Sequence, residues 1–194
     1  ELLTRSLILI EDINDVSKKS VLHAEIALAM CTIAVYKKDP VLFYQSIRCS
    51  INIPQKLRRQ DCLLAIIEKG SKSVFSKELT DVSKFIQNFK DSGTESQREI
   101  ISALTEKILE KIKDKNQIKK IIDETCEKIP FASDIIILDL LKKAEKTGDN
   151  WFLVYASALQ QYLPQETEYP VREIIRAGIA VAKNSSDRSV LTNL

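Results

Sequence analysis

Four glycines and five prolines are too few to fold a chain of 194 residues back and forth as strands, because a sheet protein must turn every ten residues or so. Helices are therefore expected before any periodicity is read. The apolar residues then recur at helical intervals. Leu22, Ile26, Ala29, Ile33 and Tyr36 fall on one stripe, Ile101, Leu104, Ile108 and Ile112 on another, and Ile137, Leu141 and Ala144 on a third. No stretch alternates as a strand does.

Punctuation sets the boundaries. Asp39-Pro40 offers an N-cap followed by a proline at the first helical position, where its missing N–H costs nothing. Gly148-Asp149 offers a left-handed C-cap and then an N-cap, ahead of Trp151, Phe152, Tyr155 and Leu159. Thr94 with Gln97 has the spacing of a capping box, and Pro54, Pro130 and Pro170 mark further starts. The pattern predicts ten helices, at 2–13, 18–38, 40–51, 55–71, 76–90, 95–112, 115–128, 134–147, 150–163 and 170–184, with a frayed tail over 185–194.

Alternate helices begin about 36–40 residues apart, the length of one helix–turn–helix unit, and such a unit buries both faces only when a neighbour stacks on it. Ile137, Leu141 and Ala144 match Ile175, Ile179 and Ala182 at one offset. The expected fold is all-α: helical hairpins stacked in a right-handed αα superhelix, as one repeat domain over 1–194. An up-and-down helix bundle is the alternative. Tyr36-Lys37-Lys38-Asp39-Pro40 and Lys146-Thr147-Gly148-Asp149-Asn150 look like the turn inside a tetratricopeptide hairpin. Through these the chain resembles the α-solenoid repeat proteins, tetratricopeptide-like and HEAT-like. It departs from the tetratricopeptide pattern at Phe43 and Leu153, where a small residue is expected, and in lacking the Trp, Gly and Tyr of the first helix. The resemblance implies a surface offered to a partner, with no chemistry attached.

A net charge of +2 gives no global attraction to nucleic acid or to anionic membranes. Cys31, Cys49, Cys62 and Cys126 form no C-x-x-C pair and sit in apolar helical patterns, which reads as reduced buried thiols and a cytoplasmic location. The longest apolar stretch, Val21 to Tyr36, contains His23 and Glu25 and is shorter than the ~20 residues that span a bilayer, so no membrane is expected. Arg5 interrupts the apolar run of residues 2–10 and no small-residue cleavage site follows, so no signal peptide is read.

Catalytic chemistry finds little support. A single histidine, His23, excludes two-histidine zinc motifs, and no nucleophile elbow accompanies it. Glu11, Asp12 and Asp15, with Asp123, Glu124 and Glu127 as a second cluster, could hold Mg²⁺ only across a shared cavity, and otherwise read as solvated helix ends. No enzyme activity, cofactor or resident metal is expected. Two binding surfaces are. Tyr36, Phe43, Tyr44, Trp151 and Tyr155 are candidates for a groove that takes an extended or helical peptide. Arg48, Lys56, Arg58 and Arg59, the last three near a helix start, are candidates for an anion or nucleic-acid patch. The first reading is a protein–protein scaffold, the second a nucleic-acid or phosphate binder, the third an Mg²⁺-dependent helical enzyme. The strongly apolar 2–13 helix is too apolar to cap an array unaided, which points to a homodimer contact or a further segment as its cover.

Overall fold

The computed structural model describes residues 2–163 and 169–184, and over these it is all-α: eleven α-helices, three short 3-10 turns and no strand. The expected tail over 185–194 lies outside the described residues. The chain divides into two compact units, Glu1–Lys107 and Ile108–Leu194.

The first unit holds α1 (Leu2–Glu11), α2 (Val16–Lys37), α3 (Pro40–Ile51), α4 (Lys56–Ser71), α5 (Ser76–Thr80), α6 (Val82–Gln87) and most of α7 (Thr94–Lys111). Helix α2 packs on α1, α3 and α4, and α3 packs on α4. Its buried face keeps only part of the expected stripe: Ile26 is buried. Ser20, His23, Ala24, Ala27, Met30, Cys31 and Ala34 are buried, while Ile33 is exposed and Tyr36 is 86% exposed. Small side chains let α3 and α4 approach α2 closely, so the face that packs is the narrow one. At 22 residues α2 is, by length and composition, long and apolar enough to cross a membrane, alone among the described helices.

Asp39 caps α3 as expected, its carboxylate accepting from Leu42 N–H at 3.1 Å, with Pro40 at the first position. The preceding turn is closed by Lys38 in the left-handed region at φ 56°. Lys38 occupies a position that usually goes to glycine. The helix expected over 76–90 is instead α5, α6 and a 3-10 turn at Lys90–Ser92. Asp81 makes the break: its backbone leaves the helical region and its side chain accepts from Lys84 N–H at 3.1 Å, starting α6 afresh. Gln97 reaches further back than a capping box requires, donating to the carbonyls of Phe89 and Lys90 at 3.0 and 3.2 Å.

The core of this unit includes an aromatic cluster. Phe43 stacks on Phe75 at 4.5 Å, Tyr44 meets Phe85 at 5.5 Å and Phe89 at 5.9 Å, and Phe85 meets Phe89 at 5.4 Å. Such pairs add ~0.5–1.5 kcal/mol each beyond the area they bury. Arg59 reaches from α4 to α7 and forms a fork with Glu99, at 2.7 and 2.8 Å.

The second unit holds α8 (Lys115–Lys128), α9 (Ser133–Thr147), α10 (Asn150–Ala158) and α11 (Tyr169–Asn184). Helix α9 packs on α10 and α11, and α10 packs on α11. Ile137, Leu141 and Ala144 lie in the core as the periodicity predicts. Gly148 closes α9 in the left-handed region at φ 68°, and Asp149 caps α10 by accepting from Trp151 N–H at 3.0 Å. The helix expected to run to residue 163 ends at Ala158 and continues as a 3-10 turn over Leu159–Tyr162.

Candidate functional site

The aromatic residues expected to line one groove are divided by burial. Phe43 is fully buried in the first unit and Tyr155 is buried in the second, so neither can offer a ring to a partner. This corrects the expected groove: an aromatic side chain on the apolar stripe of a helix faces the core, and Phe43 and Tyr155 lie on such stripes. Tyr44 is half-buried, and its hydroxyl donates to Glu78 at 2.9 Å. Burial and that carboxylate raise its pKa to about 12. Trp151 is half-buried against Tyr155, ring centroids 5.1 Å apart, with the Lys115 ammonium 5.5 Å from its ring centre. The Tyr155 hydroxyl donates to Asp123 at 2.9 Å, and burial followed by that hydrogen bond pushes its pKa well up. Tyr36 alone of the five is fully open to solvent.

The basic residues are divided in the same way. Arg48 is half-buried, donates to Ser92 Oγ at 3.2 Å and to the Asn88 carbonyl, and lies 5.4 Å from the Phe89 ring centre. Arg59 is held by Glu99 and donates to the Ile53 carbonyl at 2.9 Å, and the Glu99 hydrogen bonds raise its pKa. Both guanidinium groups therefore serve the fold, and the expected four-residue patch reduces to exposed Lys56 and Arg58. Sequence spacing could not separate these roles, because Arg58 and Arg59 differ only in which side of α4 they occupy.

Three of the six acidic candidates, Glu11, Asp15 and Asp123, are engaged singly. Glu11 pairs with Lys19 at 2.7 Å, and that hydrogen bond lowers its pKa. Asp15 caps α2, accepting from Ser17 and Lys18 N–H groups at 2.9 and 3.0 Å. Asp123 accepts from Tyr155. Among the described residues no group of three or more His, Cys, Asp or Glu side chains is placed to hold a metal ion. The four cysteines are free and buried. Cys49 donates to the backbone carbonyl of His23 at 3.6 Å and Cys62 to that of Ala24 at 3.8 Å. Burial pushes Cys49 up to about 11 and Cys62 and Cys126 up to about 12, so these thiols stay protonated and poorly nucleophilic at neutral pH. The Cys49–His23 contact runs to the backbone and gives no thiolate–imidazole pair.

One recess belongs to the first unit and was not expected from sequence. Between α2 and α4 lies an open groove of about 480 Å³. Buried Ala24 and Cys62 lie at its base, Leu28 is half-buried beside them, and exposed Leu57, Arg58, Asp61 and Ala65 form its rim. Small residues on both helices create it: where two helices pack through Ala and Cys, nothing projects to fill the valley above the contact. At its end Gln55 occupies the N-cap of α4 without a side-chain cap, its own N–H donating to Ser20 Oγ at 3.2 Å. An alanine in a helical stripe gives no sign of this, since it reads equally as core and as surface. On α1, Ile10 turns inward while Ile8 and Leu9 are exposed, on the helix expected to make a dimer contact. No protein-family model, no curated protein and no solved structure matches the chain.

Proposed function

We propose that the protein is a non-enzymatic scaffold whose helical hairpins stack as in an α-solenoid, and that a peptide docks in the α2–α4 groove. The stacking is supported by the same packing order in each unit. A first helix contacts the next two, and those two contact each other, as α2, α3 and α4 do and as α9, α10 and α11 do. The groove carries the functional reading. It joins an alanine-based apolar floor to exposed Leu57 and to one charge of each sign, Arg58 and Asp61, which is the composition that fixes a short peptide in position and register.

Panning a peptide library on the immobilised full chain tests this. Retained peptides should lose at least about tenfold in affinity against Ala65→Trp, which fills the groove from its rim at an exposed position, and against Leu57→Asp. Peptides that bind both variants as well as the parent, or a library that yields none, would remove the proposal. The nucleic-acid reading rests on Lys56 and Arg58 alone. It predicts binding to a single-stranded oligonucleotide that weakens with salt and is abolished by Arg58→Glu.

A further inference from the structure

His23, the only histidine of the chain, is 3% exposed, and among the described residues neither ring nitrogen has a hydrogen-bond partner. Buried polar groups are nearly always paired, so an orphaned imidazole calls for a physical account. It lies where α1 ends against α2: Nε2 is 3.6 Å from Glu11 Oε1, beyond hydrogen-bonding range. Lys19, one turn before His23 on α2, ties the end of α1 down. Its ammonium donates to the Glu11 carboxylate at 2.7 Å and to the Glu11 carbonyl at 3.2 Å. We infer that α1 is an acid-released latch: protonation of His23, buried without a hydrogen bond where α1 docks on α2, loosens that docking.

Two effects compete when the ring takes a proton. The charge is buried, which opposes protonation in the docked form. Glu11 attracts it, but that carboxylate is 64% exposed and already occupied by Lys19, and screened pairs of this kind contribute little. Lys19 itself repels the proton. From α3 the near group is the Cys49 thiol, which stays neutral and faces the His23 backbone. Burial therefore dominates, in agreement with the lowered pKa of His23, whose causes are burial first, then the opposing attraction of Glu11, then repulsion by Lys19. The sign follows. A group whose pKa is depressed in the docked form favours docking fully above its ordinary value near 6.5, and loses that favour as pH falls below it. Between the ordinary and the depressed value the undocked fraction rises by up to about tenfold per pH unit, one proton being taken up on release.

A single histidine makes the test direct. The C2–H resonance of His23 in the full chain should titrate below 6.5. Backbone amides of residues 5–10 should lose exchange protection, after correction for intrinsic rates, between about pH 7.5 and pH 5.5, while those of residues 137–144 in the second unit keep theirs. Glu11→Gln, a change at an exposed carboxylate that the core does not have to accommodate, should move the titration lower still and increase exchange in residues 5–10. His23→Gln, if it folds, should abolish the pH dependence. A His23 titration at or above 6.5, or pH-independent protection in residues 5–10, would overturn the inference.

Discussion

Gly70 is a position where a single added methyl group should be poorly tolerated. It stands in the last turn of α4, before the C-cap Lys72, whose φ is −94°, so the glycine is not there to supply a left-handed cap. It is there for space. A Cβ at residue 70 would lie 2.5 Å from Cζ and 2.8 Å from Cε2 of Phe43, and 3.1 Å from Cδ1 of Leu79. Carbon atoms pack at ~3.5–4.0 Å, so the overlap with the ring is about 1 Å. The Phe43 ring cannot retreat, being fully buried and stacked on Phe75 at 4.5 Å. Overpacking of this kind costs ~1–3 kcal/mol. Against it stands the helix preference for alanine over glycine, at most ~1 kcal/mol and smaller in a final turn. Gly70→Ala should therefore destabilise by about 1–2 kcal/mol, measured by urea unfolding followed by circular dichroism. The cause is tested by a cycle with Phe43→Leu, which removes the ring edge. In the Phe43→Leu background the Gly70→Ala cost should vanish or change sign, a coupling of ~1–3 kcal/mol. A Gly70→Ala protein that is more stable than the parent, or costs that simply add in the double variant, would refute the packing argument.

Lys38→Gly should raise stability by about 0.5–1 kcal/mol, since a non-glycine residue at φ 56° is strained, and thermal unfolding reads this as a small rise in midpoint. Arg59→Met should cost ~3 kcal/mol by leaving the buried Glu99 carboxylate unpaired, whereas Arg58→Glu one position away should stay within ~0.5 kcal/mol; equal costs in chemical denaturation would contradict the separate roles assigned to them. Glu68 is held down to about 2 by hydrogen bonds from Lys107 and then Lys72, so its contribution is present above its ordinary value of 4.5 and is lost as pH falls towards 2. Melting temperatures of the parent and of Glu68→Gln should accordingly differ at about pH 7 and converge near pH 2.

The helices were legible because their ends are written in residues that act locally. Asp39, Asp149 and Gly148 do in the structure what their chemistry demands in any chain: accept a first-turn N–H or adopt a positive φ. Asp81 obeys the same rule, but it sits in a run that otherwise reads as continuous helix, and a lone aspartate without Gly or Pro beside it is a weak signal in sequence. The faces were less legible than the ends. On α2 the expected stripe is divided: Ile26 is buried, while Ile33 and Tyr36 face solvent and the small residues Ala24, Ala27 and Ala34 take places in the core. That division hid both His23 and the groove, since each depends on which side of α2 is buried.

The sequence match between α9 and α11 shows why residue identity is a poor guide to such packing. Matching Ile137, Leu141 and Ala144 to Ile175, Ile179 and Ala182 pairs like with like, yet the first three are buried while Ile175 and Ile179 are 52% and 44% exposed. Shifted by one residue, the match sets Ile137 on Ile174, Leu140 on Ala177 and Ala144 on Val181, and every member of those pairs is buried. In two of the three pairs a larger side chain on one helix corresponds to a smaller one on the other. Helices that pack on each other, as α9 and α11 do, interdigitate when large faces small, so a repeat that preserves burial need not preserve residue type. In the first unit α2 packs on α4, where Leu63, Ile66 and Ile67 are buried, and the valley at Ala24 and Ala65 stays open. The change of residue type between α9 and α11 and the groove beside α2 are both consistent with large residues packing against small ones on neighbouring helices.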